Sequence, residues 1–493
     1  MALRSLALLS LLLATSVLIA PRAFAFANGE NASIVIGQPN LTTDSKIAPL
    51  VNASRLNTPF DVKFDTSGNL WVDDSANSRI LEFKAPLSTD ESASLVLGEP
   101  NLSTSYGYTG VNGSVLNVPE GMAFDSSGNL WVADSGNSRI VEFTAPFSTG
   151  ENASLVLGVP TLTTPGDTTL PASQTNLNSP EGITFDSQGN LWVADSGYYR
   201  VVEFKAPFSN GEAASVVLGQ DNFTAKDFPN EASCPPTCDE PTAATLNGPT
   251  DVAFDHSGNL WVADRDDWRV SEFIAPFSNG QAASLWVGGG CSIFGVVLGA
   301  NCMGVDDYIA FDNSGMLWVS DTANGRVLGF PSPLASNESA TVVLGEPNFA
   351  TTYGFSVNAT QSNLVSPEGI AFDSSGNLWV GDDGLNRVLE FPASTTGSVS
   401  TSSTIQSSTS TAVTSTTSSQ QITISPPSTT SSSVQTTTSP TSSTGAIPEF
   451  PFQAVAATAV AVLVVASYLL VRRRTGGRLP TREDGTSELG SYS

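Results

Sequence analysis

Short hydrophobic runs separated by polar turn residues recur along most of the chain. Between residues 121 and 158 the runs GMAF, LWVAD, RIVEF and ASLVLG alternate with DSSGN, SGNS and TAPFSTGEN. The runs are rich in Val, Ile, Phe or Trp and the segments between them in Gly, Asn, Asp and Ser, which predicts short β-strands joined by turns. No sustained helical period accompanies them. We therefore predict a unit of four strands, named a to d in chain order.

Six copies of this unit follow one another. Each contains the pattern FDxxGxLWVxD, and the phenylalanines that begin it are 57 to 69 residues apart: Phe64, Phe124, Phe185, Phe254, Phe311 and Phe372. Four-stranded units in such an array are typical of a closed β-propeller or an open β-solenoid.

The two ends of the array favour the closed form. The sixth unit runs to NRVLEF and then lacks strand d, whereas a copy of strand d, Ala32–Gly37, precedes the first unit. A ring needs one strand carried round to complete its last blade, but a solenoid needs capping repeats at both ends. We therefore predict an all-β, six-bladed β-propeller over residues 26–393, in which the N-terminal strand closes the last blade.

The repeated residues also carry a family resemblance. Units of the form LNxPEGxAFDSSGNLWVADSGNxRVxEF, followed by ASLVLGEPN, resemble the NHL-repeat family, in particular its secreted prokaryotic members with long connectors. The resemblance covers about residues 30–393 and implies a β-propeller. The chain departs from the family in having Trp in strand b, where Tyr is frequent, and in an irregular fifth unit.

The segments outside the array predict export and anchoring. Residues 1–25 have the layout of a signal peptide with cleavage after Ala25, although an uncleaved anchor is the alternative. Residues 394–446 are rich in Ser and Thr and are typical of an extended, O-glycosylated stalk. Residues 452–471 predict a transmembrane helix, and Arg472–Arg474 then place the tail, 472–493, in the cytoplasm. The preceding IPEFPF resembles junctions of archaeal surface proteins. We expect a single-pass cell-membrane protein with its propeller outside.

Charge and cysteine content fit this location. The chain has 47 acidic and 20 basic residues, a net charge of −27, which argues against nucleic-acid binding. Its cysteines all lie in the exported region, where an oxidising environment predicts two disulfides of open connectivity: Cys234, Cys238, Cys291 and Cys302. With no histidine near them, a zinc site is not expected.

Three repeated motifs are predicted to be structural. The DxSGN segment predicts a tight turn with Gly and Asn at positive φ, since it lacks the later ligands of a calcium loop. The Trp of strand b is expected between blades. An aspartate stands five residues before an arginine in every unit, which suits a repeated structural contact: Asp74 and Arg79, Asp134 and Arg139, Asp195 and Arg200, Asp264 and Arg269, Asp321 and Arg326, and Asp382 and Arg387.

A first candidate site lies at the mouth of the central channel. The residues that begin strand a should ring it: Phe60, Glu120, Glu181, Thr250, Asp307 and Glu368. Its carboxylates, Glu120, Glu181, Asp307 and Glu368, could hold a divalent cation, and calcium is the cofactor that such oxygen ligands suit. The arrangement resembles six-bladed lactonases, which implies a metal-dependent lactonase or lyase as an alternative function. The Pro-Glu-Gly sequence that contains the three glutamates could instead serve only to begin a strand.

A second candidate site lies in the loops between strands b and c. Most of these loops are small and polar, but units three and four carry larger residues: Tyr198, Tyr199, Arg265, Asp266, Asp267 and Trp268. Aromatic side chains beside charged groups suit stacking on a sugar or anchoring a protein. Loop variation with the aromatics packed inward is the alternative.

The remaining observations favour a binding or adhesion module for an extracellular glycan or protein over an enzyme. The single histidine, His256, lies in an a–b turn, away from either candidate site, and no Ser-His-Asp arrangement is expected. Nine glycosylation sequons occur, most in predicted loops: Asn31, Asn40, Asn52, Asn101, Asn112, Asn152, Asn222, Asn337 and Asn358. Only Asn222 is near unit four, which leaves that sector comparatively free for a partner.

Overall fold

Six antiparallel sheets of four strands each form the array, as predicted. The structure is a computed structural model that describes residues 24–43, 51–105, 110–226, 242–288, 298–304, 306–352 and 358–395. Each sheet is one blade, with strand a of one blade contacting strand a of the next, and strand a of blade 6 contacting strand a of blade 1. The ring is therefore closed, and the open solenoid is excluded.

The strands of the blades have closely similar bounds. Blade 1 contains β3 (Pro59–Phe64), β4 (Leu70–Asp74), β5 (Arg79–Phe83) and β6 (Leu95–Leu97). Blade 2 contains β7 (Pro119–Phe124), β8 (Leu130–Asp134), β9 (Arg139–Phe143) and β10 (Leu155–Leu157). Blade 3 contains β11 (Pro180–Phe185), β12 (Leu191–Asp195), β13 (Arg200–Phe204) and β14 (Val216–Leu218).

The second half of the ring repeats this arrangement. Blade 4 contains β15 (Pro249–Phe254), β16 (Leu260–Asp264), β17 (Arg269–Phe273) and β18 (Leu285–Gly288). Blade 5 contains β19 (Asp306–Phe311), β20 (Leu317–Asp321), β21 (Arg326–Phe330) and β22 (Val342–Leu344). Blade 6 contains β23 (Pro367–Phe372), β24 (Leu378–Asp382), β25 (Arg387–Phe391) and β2 (Ile34–Ile36). A two-residue strand, β1 (Phe24–Ala25), pairs with β26 (Ser394–Thr395).

The N-terminal strand completes blade 6, which confirms the predicted closure. Val35 lies opposite Leu389 in an antiparallel register. Just before it, the N–H of Gly29 donates to the carbonyl of Val343 in blade 5 at 3.0 Å, and the N–H of Val343 donates to Asn28 Oδ1 at 3.0 Å. Gly150 and Val96 make the same backbone contact between blades 2 and 1. The closing segment therefore makes the contacts of an ordinary blade.

The DxSGN segments are tight turns, not calcium loops. In blade 1 the carboxylate of Asp65 accepts the N–H of Ser67 at 2.8 Å and of Asn69 at 2.9 Å, and Asn69 Nδ2 donates to its other oxygen at 2.7 Å. Gly68 has a φ of 80°. The prediction of positive φ was wrong for the asparagine, because hydrogen bonds to the aspartate hold it in the ordinary region.

The tryptophans of strand b lie between blades, as expected. All six are almost completely buried: Trp71, Trp131, Trp192, Trp261, Trp318 and Trp379. Trp71 packs edge-on against Phe124 and Phe147 of blade 2, with ring centroids 5.7 and 4.9 Å away. Each blade junction is thus filled by one large indole ring, which stabilises the ring of blades through buried apolar area.

The repeated aspartate and arginine form buried ion pairs. Arg139 Nε lies 2.7 Å from Asp134 Oδ2, while its other nitrogens donate to the carbonyls of Asn112, Val115 and Leu162. The first two carbonyls belong to the connector before strand a and the third to the connector after strand d. The motif therefore ties both long connectors to the b–c loop, a structural role repeated in each blade.

Several predictions lie outside the described residues. These are the stalk beyond residue 395, the helix 452–471, the tail, most of the signal peptide, and Cys234, Cys238 and Cys291. Cys302 is described and buried; the disulfides remain a prediction. Within the described ranges no helix has the length and hydrophobicity to cross a bilayer. Eight of the nine sequon asparagines are exposed, and Asn112 is half-buried.

Candidate functional site

Both predicted sites lie at the same end of the blades. The first residue of strand a pairs with the last residue of strand b, as Pro180 does with Asp195, so the b–c loops and the start of strand a share one end. We call this end the b–c face. Each b–c loop is a single turn of 3-10 helix, as in Ser135–Asn137 of blade 2 and Arg265–Asp267 of blade 4. The loop of blade 4 differs from the other five, because none of its three helical residues is buried.

One contact joins the two predicted sites. Arg265 Nη1 of the blade 4 loop lies 3.4 Å from Glu181 Oε2 at the start of strand a in blade 3. Asp267 also points back into the fold, since its carboxylate accepts Asn247 Nδ2 at 3.1 Å and pairs with Arg269 Nη2 at 3.1 Å. Burial raises the pKa of Asp267, and Arg269 opposes this shift. Part of the charge predicted for ligand contact thus stabilises the loop itself.

The aromatic residues in the b–c loops of blades 3 and 4 differ in burial. Tyr198 is 1% exposed, its hydroxyl donates to the carbonyl of Leu170 at 2.8 Å, and the guanidinium of Arg200 lies over its ring at 4.9 Å. The alternative of inward packing therefore holds for Tyr198. Tyr199 and Trp268 are half-buried and share a left-handed backbone position, with φ of 54° and 52°. These two rings remain accessible at the b–c face.

The acidic ring predicted at the channel mouth is only partly assembled. Glu120 is half-exposed and accepts the hydroxyl of Ser135 at 2.9 Å, whereas Glu368 is fully buried and Glu181 is paired with Arg265. The side chain of Asp307 is outside the described part. Among the described residues no three His, Cys, Asp or Glu side chains are placed to hold a metal ion. The calcium site and the metal-dependent lactonase or lyase therefore both stay predictions from the sequence.

A further group of residues meets at the axis and was missed in the sequence. At the third position of strand a, three blades have glycine, while the other three have Asp61, Asp251 and Tyr308. Blade 1 also has Lys63 in strand a and Asp73 in strand b, where the other blades have small residues or Thr. The sequence signal that could have identified these residues is that each differs from the small residue or Thr found at its position in other blades. We call the group of Asp61, Lys63, Asp73, Asp251 and Tyr308 the axial cluster.

Hydrogen bonds from the axial cluster connect blades across and around the ring. Asp61 Oδ2 accepts the N–H of Met122 in blade 2 at 2.8 Å, and Asp251 Oδ2 accepts the N–H of Ile309 in blade 5 at 3.0 Å. The Tyr308 hydroxyl of blade 5 donates to the carbonyl of Glu120 in blade 2, which is on the opposite side of the ring. The cluster therefore fills the axis with polar side chains.

The charges of the cluster perturb one another. Burial raises the pKa of Asp251 to about 7, with Lys63 opposing the shift and Asp61 adding to it. Burial lowers the pKa of Lys63, but Asp61, whose Oδ1 lies 2.6 Å from Lys63 Nζ, and Asp251 outweigh this, so the net pKa is raised. Burial and the surrounding carboxylates raise the pKa of the Tyr308 hydroxyl well above its usual range. Lys63 thus stays charged between two acidic groups, and Tyr308 stays neutral.

Comparison with known proteins agrees with the repeat and the fold. A family model described as NHL repeat matches residues 116–143 and 177–204, which are strands a to c of blades 2 and 3. Blades 2 and 3 therefore match the NHL repeat, and the chain folds as a six-bladed propeller. Teneurin-1 of Mus musculus and of Homo sapiens are each 22% identical over 305 residues, covering 53% of this chain and 10% of Teneurin-1. The propeller chain therefore spans about a tenth of the length of these curated relatives.

A lyase and a gluconolactonase are among the solved structures to which this chain is similar. Virginiamycin B lyase from Staphylococcus aureus is 11% identical with a TM-score of 0.38, and the match covers 68% of this chain and 94% of that one. A gluconolactonase from Xanthomonas campestris is 15% identical with a TM-score of 0.41, covering 76% of this chain and 99% of that one. At this level the similarity concerns the fold alone.

Proposed function

We propose that this NHL-repeat propeller is a binding module at the cell surface, and that it recognises a glycan or protein through the b–c face of blades 3 and 4. The observation that carries the proposal is the blade 4 loop, whose three helical residues are all half-buried, whereas each of the other five loops fully buries at least one. A loop whose side chains all stay partly at the surface can present its charged and aromatic groups to a partner.

The surroundings of this loop support the same role. Half-buried Trp268 follows it directly, and Tyr199 occupies the equivalent backbone position in the neighbouring blade. A ring that is partly packed is held in one orientation, so it can stack on a sugar or fill a partner's pocket at little entropic cost. Arg265 is fixed by Glu181 of blade 3, which makes the two blades one continuous surface.

A loop replacement tests the proposal. Changing residues 265–268 from RDDW to SGNS gives blade 4 the loop of blade 2, which already folds on the same strands. The exported propeller, residues 26–393, is compared with this variant for binding to cell-envelope glycans and to whole cells. We expect binding to be lost while the midpoint of thermal unfolding stays within a few degrees of the original.

The opposite end of the blades supplies a matched control. His256 lies in an a–b turn of blade 4, where blade 2 has Ser126, so His256→Ser also exchanges one blade's residue for another's. This variant should bind as the original does. Unchanged binding after the loop replacement, or equal loss in both variants, would contradict the assignment of the b–c face.

A further inference from the structure

One carboxyl group of the axial cluster has no counterpart in the other blades. Strand b places Asp73 at a position where the other blades have Ala133, Ala194, Ala263, Ser320 and Gly381. Asp73 is completely buried, and neither of its carboxylate oxygens has a hydrogen-bond partner among the described residues. An ionised carboxylate in such surroundings is far less stable than a protonated one.

The groups facing Asp73 make ionisation still less favourable. Four acidic side chains act on it from the strands of blades 1 and 2: Asp61, Asp74, Glu120 and Asp134. Arg79 and Arg139 do not compensate, since they are paired with Asp74 and Asp134 at 2.6 and 2.7 Å. Lys63 is the remaining nearby cation; it is bonded to Asp61, and Asp251 acts on it more strongly than Asp73 does.

We propose that Asp73 is a proton-binding site buried between blades 1 and 2, and that the bound proton makes the stability of the propeller depend on pH. The proposal is independent of the proposed binding function. It rests on the orphaned carboxyl group, on its acidic neighbours and on the internal comparison with five blades that omit the group. Burial, followed by the charges of Asp61 and Glu120, raises the pKa of Asp73 well above its ordinary value of 3.8.

The direction of the effect follows from proton linkage. Between the ordinary pKa of this carboxyl in the unfolded chain and its raised pKa in the folded chain, the folded chain keeps the proton on Asp73 and the unfolded chain releases it. Unfolding therefore releases a proton, and the stability due to this group is present below the unfolded pKa and falls as pH rises toward the folded pKa. In that interval one proton changes the unfolding equilibrium constant about tenfold per pH unit.

Asp73 lies close to residues whose hydrogen bonds join the blades at the axis. Glu120 accepts Tyr308 from across the axis through its carbonyl, and Asp61 accepts the N–H of Met122 in the adjacent blade. A negative charge on Asp73 would act on Glu120 and Asp61 together. The junction of blades 1 and 2 at the axis is therefore where loss of the proton loosens the ring first.

The repeat supplies the test variant. Asp73→Ala places in blade 1 the residue that blades 2, 3 and 4 already have, and Asp73→Asn keeps the shape of the side chain without a titrating group. Guanidinium unfolding of the exported propeller and of both variants is measured at several pH values between 5.5 and 7.5. We expect each variant to release about one proton fewer than the original on unfolding. For each pH unit, the unfolding constant of a variant should therefore change by a factor about ten times smaller than that of the original.

Two outcomes overturn the proposal. Variants whose unfolding constants keep the original pH slope would show that Asp73 is ionised in the folded chain or does not control stability. Hydrogen exchange gives the second readout, because the protection of the Met122 N–H, corrected for intrinsic rates, should fall with rising pH in the original and not in Asp73→Ala. Equal pH dependence of that protection in both proteins would also contradict it.

Discussion

Phe26 should contribute as much to stability as an aromatic residue inside the array, although it lies near the chain's beginning. Its ring is 9% exposed and packs edge-on against Trp318, with centroids 4.9 Å apart, and lies 6.4 Å from Phe372. Phe147 of blade 2 has the same arrangement, at 4.9 Å from Trp71 and 6.4 Å from Phe124. Phe147 is therefore a matched internal control for the closing segment.

The expected magnitude follows from this burial. Truncation of a buried phenylalanine to alanine costs about 3–5 kcal/mol in the free energy of unfolding. Because Phe26 lies at an edge of the core and its surroundings can relax, we expect Phe26→Ala to cost about 3 kcal/mol, at the lower end of that range. Phe147 makes equivalent ring contacts but is half-buried, so Phe147→Ala should cost no more than Phe26→Ala.

Equilibrium unfolding in guanidinium, followed by tryptophan fluorescence, compares both variants with the unsubstituted propeller, residues 26–393. Similar losses in the two variants would support a closing segment that is as firmly held as a strand within the array. A loss below about 0.5 kcal/mol for Phe26→Ala, with a full loss for Phe147→Ala, would mean that the segment opens before the rest of the ring unfolds. That result would refute our account of closure.

Two further predictions concern buried charges. Arg139→Met leaves Asp134 buried without its cation and leaves three carbonyls without donors. The free energy of unfolding, measured in guanidinium, should therefore fall by about 3–5 kcal/mol. A loss below about 1 kcal/mol would contradict the structural role of the pair. The pKa of Asp251 is raised to about 7, so its contribution to stability is present below pH 3.8 and is lost as pH rises through about 7. Asp251→Asn keeps an oxygen for the N–H of Ile309, and it should flatten the change in unfolding midpoint between about pH 4 and 7. An unchanged midpoint profile would show that another group controls stability there.

Much of the fold was predictable because it depends on local patterns repeated six times. The alternation of apolar runs and turn residues gave the strands, and the displaced copy of strand d gave the closure at Val35 and Leu389. The spacing of Asp134 and Arg139 predicted a structural pair, and the pair is buried. Even the error at the DxSGN turn was local, since it concerned which of two residues takes positive φ.

The candidate site was less predictable, because its contacts join residues far apart in the chain. Nothing in the sequence near Tyr198 indicates that its hydroxyl reaches the carbonyl of Leu170. Arg265 and Glu181 were predicted for different sites, yet they are in contact. A loop side chain can turn outward or inward on the same backbone, and its neighbours from other connectors decide which.

The sequence by itself determined a closed ring of six four-stranded blades, because hydrophobic periodicity and turn chemistry act within each unit. Only the tertiary structure decided what meets at the axis. Tyr308 contacts Glu120 from a position 188 residues away, and Asp73 lies among acidic groups of two blades. Ring closure brings residues that depart from the repeat together in one buried cluster. The low dielectric around them and the repulsion among their carboxylates then determine which carboxyl groups are protonated.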